Sequence, residues 1–134
     1  MVFGTFDGLH AGHLNFFKQA RDLIPGSLLI VSVARDKNVK KIKNFFPILN
    51  EKRRISLIKK SKMADRVVLA GLNDHIPHII KEKPEIIALG YDQKSFYLKN
   101  LKKELQNKGL AVKIVRLQPY KEKIYKNHLL KVKR

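Results

Sequence analysis

Through Val2-Phe3-Gly4-Thr5-Phe6-Asp7-Gly8-Leu9-His10-Ala11-Gly12-His13 the chain passes from a short apolar strand, across a glycine-punctuated turn, into the apolar-periodic run 14–24. A helix entered in this way offers unpaired backbone N–H groups and the positive end of its dipole, which together favour an anion. Gly4, Gly8 and Gly12 let the backbone approach that anion closely. His10 and His13 stand three residues apart on one face of the first helical turn, where they can donate hydrogen bonds to phosphoryl oxygens as charge develops on them. This is a layout for handling phosphate.

Outward from this stretch, the bulk properties narrow the class. A chain of 134 residues suits one domain, 1–134, and is short for two. Its hydrophobic fraction of 44% is that of a globular protein rather than a disordered one. It has no apolar run of about 18 residues and no basic start followed by an apolar stretch, so the expected location is the cytoplasm, away from membrane. Without cysteine it can have no disulfide, zinc thiolate or catalytic thiol. The 29 Lys plus Arg against 11 Asp plus Glu give a net charge of +18, which favours polyanions. Most of those lysines, such as Lys59-Lys60, Lys81 and Lys102-Lys103, fall on the polar sides of helical patterns, so nucleic acid is not the expected partner.

The remaining pattern alternates strand and helix. The first helix spans about 11–23, burying Leu14, Phe17 and the Ala20/Ile24 side, and Pro25-Gly26 stops it. Leu28-Leu29-Ile30-Val31-Ser32-Val33 reads as a strand buried on both faces. Asp36 and a basic loop over 37–43 follow, then a helix capped by Asn50 with Ile55, Ile58 and Met63 on its buried face. Strands at 66–70, 85–89 and 110–117 are separated by helices at 76–82 and 96–107. Such alternation predicts an α/β fold with a parallel, doubly wound, five-stranded sheet, whose ligands lie beyond the carboxyl ends of the strands. The first strand is shorter than the usual five or six residues or so. His75 and His78 share an i, i+3 spacing but lack a third ligand nearby, and read as helix-surface residues.

The string G-T-F-D-x-x-H-x-G-H at 4–13 resembles the signature of the cytidylyltransferase-like nucleotidyltransferases. That resemblance extends over essentially the whole chain and implies a Rossmann-like nucleotidyltransferase fold with strand order 3-2-1-4-5. It also implies an enzyme that moves a nucleoside monophosphate from a nucleoside triphosphate to a phosphorylated acceptor, releasing pyrophosphate. The segments Val33-Ala34-Arg35-Asp36, Gly90-Tyr91-Asp92-Gln93 and Val115-Arg116 with Tyr120 are most similar to the archaeal-type FAD synthase branch, which adenylylates FMN with ATP. The glycerol-3-phosphate cytidylyltransferase branch, which uses CTP, carries a late R-T-x-G-I-S-T-T string that is absent here. From another class, a catalytically weakened basic protein that binds nucleic acid stays open.

Nucleotidyl transfer needs no protein nucleophile, only positioning and neutralisation of phosphoryl charge. His10, His13, Lys41 and Arg53 are the candidates for that work, with Lys40 and Lys43 as further phosphate contacts. Gly4, Thr5, Phe6 and Gly12 present backbone to the nucleotide. By the resemblance, Asp7 and Asp36 line the site, Asp92 and Tyr120 contact ATP, and Arg116 faces the acceptor. Where relatives place Ser or Thr pairs before the last helix, this chain reads Ile124-Tyr125-Lys126-Asn127-His128-Leu129, leaving Asn127 as cap and Lys126 as cation. Asp7 equally suits holding the turn, Asp36 capping a short turn, and Arg53 a solvated helix position. Mg²⁺ is the expected cofactor, carried mainly by the triphosphate, and a homodimer accords with the relatives.

Overall fold

Each of the first four strands is short, and each is followed by a helix. The computed structural model describes residues 1–71, 74–91, 93 and 96–119. Along them run β1 (Val2–Gly4), α1 (Ala11–Asp22), β2 (Ile30–Val33), α2 (Asp36–Lys43), α3 (Glu51–Ser61), β3 (Arg66–Leu69), α4 (His75–Glu82), β4 (Ile86–Leu89), α5 (Phe96–Asn107) and β5 (Lys113–Arg116). Asn50 caps α3 by accepting from the Arg53 N–H, and Asp74 caps α4 by accepting from that of Ile76. The α2, α3 and α4 helices end on Asn44, Lys62 and Lys83, each in the left-handed region that terminates a helix.

The strands form two parallel sheets, β1-β2-β3 and β4-β5. In the first, Val2, Phe3 and Gly4 pair with Val31, Ser32 and Val33, and Val31 in turn pairs with Val67. In the second, Ile87 pairs with Ile114. Between the sheets, the Met1 nitrogen donates to the Ile86 carbonyl at 2.8 Å and the Ala88 N–H to the Met1 carbonyl at 3.0 Å.

Strand side chains alternate between two cores, as the period of a strand requires. Val2, Val31, Val33 and Ala88 pack with Phe17, Ala20 and Ile58 of α1 and α3. Met1, Ile87 and Leu89 pack with Ile76, Ile79 and Leu105 of α4 and α5. Helices therefore cover both faces of the strands, as in a doubly wound α/β protein.

Several sequence expectations change. The stretch 37–43 is not a loop: it lies within α2, whose Val39 is buried while its lysines face solvent. Of the residues expected inside, Phe17 and Ala20 are buried, but Leu14 is 37% exposed, because α1 meets the sheet along a narrower stripe, and Ile24, 38% exposed, lies beyond the end of the helix. Met63 packs on the core from beyond the end of α3 rather than from the helix. His75 and His78 turn inward rather than out. The His78 Nε2 lies 2.8 Å from the hydroxyl of buried Ser32, and the His75 ring meets Phe3 edge-on. Burial lowers the pKa of both, opposed by the charge of Asp74 at His75 and of Glu82 at His78. Among the described residues, no helix is long and apolar enough to cross a membrane.

Candidate active site

The turn after β1 is wound tightly by two conformations that ordinary residues avoid. Phe6 has φ of 53° and Gly8 a φ of 96°, and the Gly8 N–H closes back on the Phe6 carbonyl at 2.9 Å. A bulky side chain with positive φ is strained by about 1–3 kcal/mol, so the surroundings must hold it. They do so by burying the Phe6 ring against Phe17 at 5.2 Å and edge-on to His13 at 5.5 Å. The ring also fills the space above Gly4, where a Cβ would lie 2.6 Å from it. Gly4 is therefore required by the fold of the turn itself.

The two histidines cap the helix they belong to. His10 occupies the N-cap of α1 with extended backbone. Its Nδ1 accepts from the Gly12 N–H at 3.0 Å and the His13 N–H at 3.4 Å, while the His13 Nδ1 accepts from the His10 N–H at 3.3 Å. This is a capping box built from a histidine pair instead of the usual Ser/Thr and Glu. The rings stack with centroids 3.8 Å apart and planes 20° from parallel.

Because each Nδ1 accepts from an N–H, that atom carries no proton, and the network assigns both neutral rings the Nε2–H tautomer. Burial, then the neighbouring His10, lowers the His13 pKa to about 4, opposed by a hydrogen bond to the Gly8 backbone. At neutral pH His13 is thus an uncharged donor. A Cβ on Gly12 would sit 2.8 Å from the His10 Cε1 and 3.0 Å from its Nδ1, so the glycine makes room for the cap.

A second group of residues ties this turn to α2 and α3. The exposed Asp7 carboxylate accepts from the Leu49 N–H at 2.8 Å and the Ile48 N–H at 2.7 Å. Those two donors, Leu49 first, hold its pKa below the ordinary carboxylate range. Arg54 is completely buried: its Nη1 donates to the Thr5 carbonyl, its Nε to the Leu49 carbonyl, and its Nη2 to the Asp36 carboxylate at 2.6 Å. The other Asp36 oxygen accepts from the Glu51 N–H, while a Glu51 carboxylate oxygen accepts from the Asp36 N–H. Two helix N-termini thus cap each other around a buried guanidinium.

On the far side, the Gln93 side-chain amide bridges the ends of β1 and β4. Its Oε1 accepts from the Gly90 N–H at 2.8 Å and its Nε2 donates to the Phe3 carbonyl at 3.3 Å. The Arg116 Nη1 donates to the carbonyls of Gly90 and Tyr91.

The structure therefore brings together Gly4, Thr5, Phe6, Asp7, His10, Gly12 and His13 in one turn, with Asp36 held behind it. Arg53 is exposed and contributes its N–H to the α3 cap, whereas its neighbour Arg54 does the buried work. Arg54 was the legible choice, since it lies four residues before buried Ile58 on the same helix face. Lys40 reaches the Asn44 carbonyl at the end of α2, and Lys41 and Lys43 are exposed on that helix. Asp92, Tyr120, Lys126 and Asn127 lie outside the described residues. Among the described residues, no group of three His, Asp or Glu side chains could hold a metal ion. The carboxylates nearest the turn are committed to N–H donors of the protein, so this part of the site does not form a cage for Mg²⁺.

The cytidylyltransferase-like family profile matches residues 1–129. The FAD synthase of Korarchaeum cryptofilum is 48% identical over 120 residues, covering 87% of this chain and 79% of that protein. The FAD synthase of Aciduliprofundum boonei is 42% identical over 120 residues, covering 90% and 78%. Among solved structures, that of a lipopolysaccharide core biosynthesis protein from Thermoplasma volcanium GSS1 superposes with a TM-score of 0.81 at 40% identity, covering 90% of this chain and 95% of that one.

Proposed function

The chain belongs to the cytidylyltransferase-like family, and from that membership we propose that it transfers the adenylyl group of ATP to FMN, forming FAD and pyrophosphate. The similarity to FAD synthases of several archaea supports the choice of substrates. The observation that carries the chemistry is the histidine capping box. It holds both imidazoles beside the exposed N-terminal turn of α1, each with its hydrogen on Nε2.

In this reading a phosphate oxygen of FMN attacks the α-phosphorus of ATP, the bond to the bridging oxygen of the β-phosphate breaks, and pyrophosphate leaves. His10, His13 and the backbone of 4–13 neutralise charge developing on the phosphoryl oxygens, and the lysines of α2 supply long-range attraction. Mg²⁺ accompanies the triphosphate as its counter-ion; with Asp7 and Asp36 both engaged by protein donors, no step here is assigned to it. We further read β1-β2-β3 and β4-β5 as one sheet in the order 3-2-1-4-5. The bonds from Met1 to Ile86 and Ala88, and the sharing of both cores by strands of the two sheets, support that order.

The test is to incubate purified protein with FMN, ATP and Mg²⁺ and to follow pyrophosphate release and FAD formation. FAD production that falls by a factor of roughly 100 or more in His10→Ala is expected. Turnover with CTP and a polyol phosphate but none with ATP and FMN would overturn the proposal. So would His10-independent, salt-steep binding to RNA in the absence of any turnover.

A further inference from the structure

Seven large hydrophobic side chains are exposed among the described residues, and four of them fall in one short stretch: Ile42 at 79%, Phe45 at 56%, Phe46 at 60% and Ile48 at 92%. Apolar side chains scattered singly over a surface need no explanation, but a cluster with two phenylalanines does. This cluster is not on a wandering loop. It is fastened to the signature turn at two points, by the Asp7 carboxylate on the Ile48 and Leu49 N–H groups and by Arg54, which joins the Leu49 and Thr5 carbonyls. The stretch that carries the rings is therefore tied, just after them, to the turn that leads into the capped histidines.

A cation lies near one of the rings, and more stand on the preceding helix. The Lys40 ammonium lies 5.8 Å from the Phe46 ring centroid, and Lys41 and Lys43 stand exposed on the same helix. An occupant complementary to this patch has a flat apolar ring system and a negative charge. A second copy of the chain fits less well, since its own lysines would meet these across the contact.

We propose that Phe45 and Phe46 are the platform on which the isoalloxazine ring of FMN lies, with Ile42 and Ile48 at its margins and its phosphate directed toward the histidine turn. The assignment rests on the FMN reading above and adds to it the residues that select the acceptor. Flat ring systems stack on aromatic side chains with enough energy to change affinity about tenfold or more per contact.

The experiment compares wild type, Phe45→Ala/Phe46→Ala and Phe45→Tyr/Phe46→Tyr. FMN is titrated by flavin fluorescence without ATP, and separate KM values are measured for FMN and ATP. Quenching of the flavin by wild type is expected, with a rise of about tenfold in Kd and KM for FMN in the alanine variant, an ATP KM within about twofold, and near-wild-type values in the tyrosine variant. Both rings are exposed, so the alanine variant should melt with the wild type. An FMN Kd and KM unchanged by the alanine substitutions would overturn the platform. A wild-type dimer that the alanine substitutions dissociate, with FMN binding intact, would overturn it in favour of self-association. A wild type that forms no FAD would instead reject the adenylylation reading, and the fluorescence titration would still decide the platform.

Discussion

At position 12 a methyl group has no room, because the space that it would occupy holds the imidazole of His10. Gly12→Ala should therefore displace the His10 ring, break its bonds to the Gly12 and His13 N–H groups, and lose the cap. The expected result is a loss of roughly 1 kcal/mol in stability and of about a hundredfold or more in turnover, read from urea midpoints and initial rates. His13 supplies a pH signature. Its pKa drops from an ordinary 6.5 to about 4 in the folded protein, so between those values the unfolded chain binds a proton that the native chain does not. Stability from this group is complete above about pH 6.5 and declines as the pH falls toward 4. Replacing His13 by Asn should flatten that part of the stability profile, measured as the difference in urea midpoint between pH 7 and pH 5. The spacing of the two histidines and the glycine between them placed all three together at the head of α1, where the structure has them. Their capping role was readable too, since a spacing of three is also that of N-cap and N3, yet histidine is not among the residues from which a cap is ordinarily inferred.

Among the elements, the short α2 helix and the N-terminus of α3 behave as one unit, closed by Asp36, Glu51 and Arg54. Truncating the buried partner of such an arrangement leaves a carboxylate and two carbonyls without their donor. Arg54→Met should consequently cost roughly 3–5 kcal/mol, measured by chemical denaturation. The surviving fraction should show weakened FMN turnover, because the 42–49 stretch has lost one of its two fastenings. The α2 helix escaped notice because its eight residues carry only two large apolar side chains, Val39 and Ile42, three apart, among four lysines. A helix that short is marginal by itself; Val39 in the core and the exchange of caps with Glu51 hold it, and both depend on residues distant in sequence. The inward turn of His75 and His78 was hidden for the same reason. Nothing near them in sequence announces that Ser32 and Phe3 will stand opposite. The strands were legible from local pattern because each is a run of apolar residues; what each run faces was not.

For the molecule as a whole, the two cores divide cleanly by strand alternation, and β1 is where the sheets approach. The alternation of strands and helices, and hence the class of fold, followed from apolar periodicity; the contact between β1 and β4 follows only from tertiary packing. Beyond the Ala88 to Met1 bond, the Gln93 side chain spans from the Gly90 N–H to the Phe3 carbonyl. Gln93→Glu keeps the acceptor for Gly90 but sets a carboxylate against the Phe3 oxygen. It should lower stability by about 1–2 kcal/mol and raise the KM for ATP more than that for FMN, read from a thermal melt and paired kinetics. The high positive charge is spread mainly over exposed lysines of the helices, so it acts over distance on any phosphorylated ligand, and raising the salt concentration should raise both KM values.

Gln93 also acts as a spacer. At the end of the β1–β4 seam, two backbones are linked through a side chain and not directly, so their separation there is metered in methylene groups. Asparagine, shorter by one, would either draw the backbones together or let go of one of them, whereas alanine would leave the gap unmeasured. The distance between the end of β1 and the loop at Gly90 is thus inscribed in the length of a single uncharged side chain.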